Sequence, residues 1–382
     1  EISGDIEGSF TFRSFGKALT GYEGQVRLIS GYADSAFPEQ GIELLQGELK
    51  GALGFSKEEG ENLTYTGFLD VVDAGVVLDY KLLPDKPSGE EDLSGEIRLS
   101  EGALEGRFEF RGEFPGIFKY DGVLKLRDGL AEVDGTIETA RLEVSDMRAG
   151  GDIIIRGELP GTTEYGGKIS LSEGAAKVYE GLPWLKHAEG LVSCAIDFVA
   201  NSEGSLKYSG DVNISKATLE ASDAASGIEE FSGEGSLNIS FRGEGDTVLQ
   251  YEGSGRIEQG NLVASEIAEG IRRLEGPITG TLGFKGKHQE DTAVELIIST
   301  GRCAVEAEEF GGFIRSLSGN AEGWVRFVAQ GPNVQGYTGE VMIENGSFVA
   351  DEAMPGLVKA RGLGDLDIKF SSSGEGDLTY YG

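Results

Sequence analysis

Apolar and polar residues alternate with a period of two along most of this chain, the spacing of strands that turn one side to a core and the other to water. In GEIRLSEGALEGRFEF, which starts at Gly95, Ile97 and Leu99, then Leu104, Phe108 and Phe110, fall on one side, while Glu96, Arg98, Glu105, Arg107 and Glu109 fall on the other. The division recurs downstream at Ile169 and Leu171, at Val192, Cys194, Ile196 and Phe198, at Leu206 and Tyr208, and at Val212 and Ile214. It continues at Leu237, Ile239 and Phe241, at Ile278, Leu282 and Phe284, and at Val294, Leu296 and Ile298. Val325 and Phe327, Val341 and Ile343, and Leu366, Ile368 and Phe370 complete it. Asp128-Gly129, Ser172-Glu173-Gly174 and Asn345-Gly346 supply the positive backbone angles of tight hairpin turns, so consecutive strands are expected to pair antiparallel.

The alternation is organised into repeats of about 40 residues, the period of stacked supersecondary units. Four copies align, GGKISLSEGAAKVYEGLPWLKHAEGLVSCAIDF from Gly166, GDVNISKATLEASDAASGIEEFSGEGSLNISF from Gly210, GRIEQGNLVASEIAEGIRRLEGPITGTLGF from Gly255 and GEVMIENGSFVADEAMPGLVKARGLGDLDIKF from Gly339. A weaker fifth copy starts at Gly301. Residues 1–165 keep the alternation but blur the repeat, and no Pro/Ser-rich linker divides the chain, so 1–382 reads as one elongated array. Segments 182–190, 265–276 and 310–319 space their apolar residues by three or four, which suits single helical turns or extended crossovers, the turns being favoured.

The expected fold is therefore all-β: a long antiparallel meander of short strands, about 25 to 30 of them, running on the order of 130 Å at about 4.8 Å per strand. Burying apolar surface is worth roughly 25 cal/mol per Å², so a sheet with one apolar face and almost no helix must turn that face on itself. Two shapes do so: a closed interior filled by its own side chains, or a curled, taco-shaped groove that stays open to a guest. Inward glycines such as Gly106 and Gly280 leave room beside large neighbours and favour the groove.

The unit G-x-apolar-x-apolar-x-x-G-x-apolar, followed some way on by apolar-x-G-x-apolar-x-apolar, is carried by GKISLSEGAA and GLVSCAIDF, by GRIEQGNLV and LEGPITGTLGF, and by GEVMIENGSFV and GLGDLDIKF. It resembles the repeat of the AsmA-like and TamB-like bacterial envelope proteins, reasonably from about 166 to 370 and loosely before that. The resemblance implies a bridge-like lipid transport protein of the periplasm. Its partner would be phospholipid or another acyl lipid, carried with tails inside a β-groove and head groups in water. Attachment to the inner membrane would come through a segment not present here, with inner-membrane or outer-membrane proteins at the ends. The resemblance brings no catalytic residues, only the apolar positions named above as groove lining. The alternative is a structural or adhesive envelope scaffold with a self-filled core.

Composition narrows the chemistry. Lysine and arginine number 33 against 66 acids, a formal charge of −33 that repels phosphate backbones, so nucleic acid is not an expected partner. Glycine occurs 61 times, roughly twice the usual share of about 7%, and is expected at turns between many strands. Cys194 and Cys303 read as buried free thiols, with a mutual disulfide as the alternative. No apolar run approaches the length of a membrane helix, and the chain starts and stops in mid-pattern, as a piece of a longer protein would.

No nucleophile elbow, phosphate loop, dinucleotide fingerprint or His-Glu-x-x-His occurs, and no acid/base pair, metal or cofactor is assigned. His187 and His288 read as solvated imidazoles, and Asp70-x-x-Asp73-x-Gly75 as a turn that lacks the later glutamate of a calcium loop.

Overall fold

The computed structural model describes residues 2–15, 18–37, 42–82, 94–137, 140–179, 185–225, 228–245, 247–268, 271–288, 290–310, 314–331, 333–354, 357–372 and 379–381. The strands are β1 (Ile2–Phe15), β2 (Ala18–Phe37), β3 (Ile42–Glu58), β4 (Leu63–Leu82), β5 (Ser94–Phe114) and β6 (Phe118–Ile137). They continue with β7 (Ala140–Leu159), β8 (Thr163–Tyr179), β9 (Leu185–Asn201), β10 (Leu206–Ala225), β11 (Ile228–Glu244) and β12 (Thr247–Ala268). The series closes with β13 (Ile271–Lys287), β14 (Ala293–Phe310), β15 (Ile314–Gln330), β16 (Asn333–Met354), β17 (Leu357–Ser372) and β18 (Thr379–Tyr381).

Each strand pairs antiparallel with the next, from β1–β2 through to β17–β18, and the sheet does not close into a barrel. The all-β meander is as the alternation required. Strand number and length are not: 18 strands replace the expected 25 to 30, and most run 16 to 22 residues. At about 4.8 Å per strand the sheet is on the order of 80 Å long, with strands roughly 65 Å across.

The difference has one cause. Asp128, Glu173 and Asn345 do adopt positive φ (51°, 59° and 51°), but in the middle of strands, where each begins a one-residue β-bulge instead of a hairpin turn. Every even-numbered strand from β2 to β16 takes in one residue more than the odd strand that follows it, all at mid-strand. The extra residue falls between Leu28 and Gly31, Val71 and Ala74, Leu126 and Gly129, Leu171 and Gly174, Ile214 and Ala217, Ile257 and Gly260, Thr300 and Cys303, and Ile343 and Gly346. Asp73, in the supposed turn near Asp70, is the bulge residue of β4 (φ 50°), and Lys216 that of β10 (φ 50°). Glu173 and Lys216 stand 43 residues apart, so the sequence repeat is one long hairpin.

A bulge bends its strand, and eight at one level crease the whole sheet. The core lies along that crease on the apolar face. One cluster joins Val76, Leu99, Ala131, Val144, Met147 and Ala149; another joins Val305, Ala307, Leu317, Ala321 and Ile343. Small residues let the halves of each strand close together there: Ala264 and Cys303 are 0% exposed, and Gly102, Gly174 and Gly346 are buried.

No helical turn occurs among the described residues of 182–190, 265–276 or 310–319; they are the ends of consecutive antiparallel strands, with 182–184, 269–270 and 311–313 outside the described residues. A hairpin breaks the period-two phase, and the break mimics a helical spacing.

Most glycines serve strands and not turns. Phe55 lies over Gly24, Phe110 over Gly67, Tyr120 over Gly157, Phe241 over Gly210 and Tyr251 over Gly286, each ring covering a glycine on an adjacent strand. Gly106 and Gly280 leave less room than expected, because the Val123 and Ile297 carbonyl oxygens of the neighbouring strands stand against them, with Leu124 also leaning over Gly106. A methyl at Gly253 would enter the Phe284 ring and sit 2.8 Å from the Asn238 carbonyl oxygen, whereas at Gly283 the nearest atom is 3.9 Å away. We expect Gly253→Ala to lower stability by about 1–3 kcal/mol through overpacking. Gly283→Ala should be neutral or gain up to about 1 kcal/mol from the stiffer unfolded chain. Urea unfolding midpoints of the two variants check this ordering.

Candidate functional site

The crease is the floor of a trough that crosses the strands, and its taller wall rises from the bulges toward the turns at 59–62, 115–117, 160–162 and 202–205 and toward Gly245. Directly opposed residues of antiparallel neighbours share a face, so register decides what lines this wall. Leu171, Cys194, Val212 and Ile239 form one row across β8 to β11, and Ile169, Ile196, Gly210 and Phe241 the next row up.

All the groove residues expected from sequence whose side chains are described stand on this one face. They are Leu99, Leu104, Phe108 and Phe110 on β5, Ile169 and Leu171 on β8, Val192, Ile196 and Phe198 on β9, and Leu206, Val212 and Ile214 on β10. Leu237, Ile239 and Phe241 on β11, Leu282 and Phe284 on β13, and Leu296 and Ile298 on β14 follow, with Val325 and Phe327 on β15 and Val341 and Ile343 on β16. Leu99 and Ile343 are buried at the crease; the others are half-buried and keep accessible surface. The side chains of Ile97, Leu366, Ile368 and Phe370 lie outside the described residues.

Between the crease and the aromatic positions the wall carries no charged residue among the described side chains of β2 to β16. Tyr251, Gly253, Gly255 and Ile257 on β12 are typical.

Sequence reasoning missed the pairing at the top of this wall. Among the residues whose side chains are described, five long hairpins bring a phenylalanine opposite a tyrosine: Phe12 and Tyr22, Phe55 and Tyr65, Phe110 and Tyr120, Phe198 and Tyr208, and Phe241 and Tyr251. Ring contacts pass from one hairpin to the next, Tyr22 to Phe55 at 6.4 Å, Tyr208 to Phe241 at 6.2 Å and Tyr251 to Phe284 at 6.3 Å. Tyr120 and Tyr251 share hydroxyl hydrogen bonds with Thr163 and Thr292 at the foot of the following hairpin. The signal in the sequence is a tyrosine ten residues after a phenylalanine, repeated with most of the long hairpins.

The opposite face is charged and partly self-paired. Cross-strand ion pairs include Arg156 with Asp121 at 2.7 Å, Lys119 with Glu158 at 3.0 Å and Arg127 with Glu105 at 3.2 Å, while the Arg107 guanidinium stacks on Phe68 at 4.0 Å. Exposed pairs of this kind contribute about 0–1 kcal/mol each; they suit one face of the sheet to water. A twisted sheet is saddle-shaped, and this face carries a shallow concavity of about 940 Å³ bordered by Thr66, Phe68, Glu109, Arg111, Asp121 and Arg156. His187 lies on β9, not in a crossover, 3.4 Å from Glu189 on the exposed surface.

Both cysteines are free thiols. Cys194 lies half-buried on the trough wall, and Cys303, in the crease, contacts the Pro277 carbonyl oxygen at 3.4 Å. Burial raises both thiol pKa values; the Asp211 carboxylate raises that of Cys194 further, and the Thr300 hydroxyl partly offsets the rise at Cys303. No family model, curated protein or solved structure matches the chain.

A raised thiol pKa leaves less thiolate at neutral pH, and the thiolate is the reactive form. We expect maleimide to label Cys194 more slowly than free cysteine at pH 7, with the rate still climbing above pH 9, and Cys303 to react only on unfolding. Mass spectrometry of timed labelling reactions reads both sites.

Proposed function

We propose that the trough carries the acyl chains of lipids along its length, as a segment of a bridge-like lipid transport protein of the AsmA-like and TamB-like kind. In this reading the chain works in the periplasm, its membrane contacts and protein partners lie beyond the residues given, and its cargo is phospholipid or another acyl lipid. One observation carries the proposal: a wall continuous across the strands, uncharged among its described side chains yet only half-buried, stands beside a crease whose described side chains are mostly buried. A self-filled core would bury both alike. Moving an acyl chain along such a wall keeps it out of water, at about 0.8 kcal/mol per methylene, without a polar group to arrest it.

The test compares a charge on the wall with a charge in the crease. Ile196→Asp places a carboxylate where water still reaches, so we expect loss of most phospholipid recovered by organic extraction of the purified protein, with a small change in urea midpoint. Ala264→Asp, at a site with no exposure, should unfold the chain, because an unpaired buried charge costs several kcal/mol. Equal unfolding by both variants would identify the wall as packed core and favour the scaffold reading. As a second readout, bound lipid should slow maleimide labelling of Cys194, and added phospholipid that leaves the rate unchanged counts against occupancy of the wall.

A further inference from the structure

Two neighbouring turns of the taller wall share a short sequence. Glu113-Phe114-Pro115-Gly116 leads from β5 to β6, and Glu158-Leu159-Pro160-Gly161 from β7 to β8. The turns also close alike: the Glu113 N–H donates to the Ile117 carbonyl oxygen at 3.1 Å, and the Glu158 N–H to the Thr162 carbonyl oxygen at 3.3 Å. Each turns its apolar residues outward, leaving Phe114 68%, Ile117 45% and Leu159 49% exposed. The next turns on either side are polar, with Glu59, Glu61 and Asn62 on one and Ser202, Glu203 and Ser205 on the other.

The tips continue an apolar surface that begins in the trough. Phe118 stands opposite Leu159 in register, and its ring lies 5.9 Å from Tyr65, 6.0 Å from Phe110 and 5.7 Å from Tyr120. Both glutamates at the foot of the tips have partners within the protein: Asn62 Nδ2 donates to Glu113 at 3.4 Å, and Lys119 pairs with Glu158 at 3.0 Å. Pro115 and Pro160 have no N–H, so the tips carry few donors that would have to leave water unpaired.

Area separates the candidate occupants. Three side chains at these exposures offer on the order of 300 Å², well short of the roughly 800 Å² per partner of a stable protein interface. Two convex tips a pair of strand spacings apart, about 9.6 Å, suit a surface that yields to them. The interface of a bilayer does so, and takes apolar side chains to a depth of about 5–10 Å. We infer that the tips at Phe114, Ile117 and Leu159 dip into the surface of a phospholipid bilayer and hold the side of the trough against it. A formal charge of −33 repels anionic head groups, so the surface is one of zwitterionic phospholipid. This contact is additional to any at the ends of the array, and it does not require the trough to hold lipid.

Flotation with phosphatidylcholine vesicles tests the docking. We expect the protein to float with them and the Phe114→Ser, Leu159→Ser double variant to bind about tenfold more weakly, through lost apolar burial, with an unchanged urea midpoint. In a Trp184→Phe, Trp324→Phe background, Phe114→Trp should give emission that shifts to the blue with the same vesicles, while Glu203→Trp, on a polar turn, should not; this readout serves should the double variant fail to fold. Phosphatidylglycerol in the vesicles should weaken binding, and added salt should restore it. Equal flotation of parent and folded double variant, or no blue shift with Phe114→Trp, would overturn the docking, and binding that rises with phosphatidylglycerol would overturn the choice of surface. A parent that elutes as a larger species than the double variant without lipid would also overturn it, since a second copy would then cover the tips. Vesicle binding by a protein that yields no phospholipid on organic extraction would remove the trough reading and leave the docking standing.

Discussion

A sheet with one apolar face has nothing to cover it in this chain, and that constraint organises the rest of the molecule. Among the described residues no helix covers it and no second sheet stands against it. What remains is to fold each strand on itself, and the bulge does this locally, by adding one residue to every even strand at the same height. The positive φ that a bulge asks for falls on Asp73, Asp128, Asp146, Glu173, Lys216 and Asn345, four of them Asp or Asn, the side chains that best tolerate the left-handed region. Alanine, glycine and Cys303 line the floor because two halves of a strand cannot close over large side chains.

The second constraint is lateral. Rings on the wall need a flat place to lie, and a glycine on the adjacent strand provides it: Phe55 over Gly24, Phe241 over Gly210, Tyr251 over Gly286. Glycine in a strand is normally a loss of packing and of backbone order. Here the aromatic neighbour recovers that loss, as aromatic rescue of strand glycines does. The high glycine content is therefore a property of sheet packing, with only positions such as Gly60, Gly204 and Gly245 acting as left-handed turn residues.

These two devices explain what the sequence disclosed and what it hid. Which face each residue takes was legible, because period two survives everywhere except at bulges and turns; Val192, Ile196 and Phe198 share the wall with Ile169 as their spacing implied. Strand length was not legible. Asp-Gly and Asn-Gly satisfy a hairpin turn and a bulge with the same backbone angle, and a local motif cannot tell a chain that reverses from one that only bends. The distinguishing information is long-range: Leu171 and Gly174, on either side of Glu173, both pair with the following strand, at Cys194 and Val192, and no local motif carries that pairing. The Phe–Tyr pairs were hidden for a similar reason, since residues ten apart meet only once the hairpin between them is known to exist.

Regular repetition also bears on how a guest would travel. One hairpin advances the trough by two strand spacings, about 9.6 Å, and returns the same section: a crease of small residues, an uncharged wall, a Phe–Tyr pair. A cargo held by hydrophobic contact alone sees nearly the same surroundings after each advance, so the free energy along the axis is close to level, and the non-directional character of those contacts adds no geometric lock between steps. Departures from the repeat are then the places where movement would be graded. Position 155 carries isoleucine and position 294 valine where other hairpins carry Phe and Tyr, and β7 adds a bulge of its own at Asp146. On the proposed reading, these irregular sections and not the regular ones decide where a lipid pauses, because only a change in lining can make one step differ from the next.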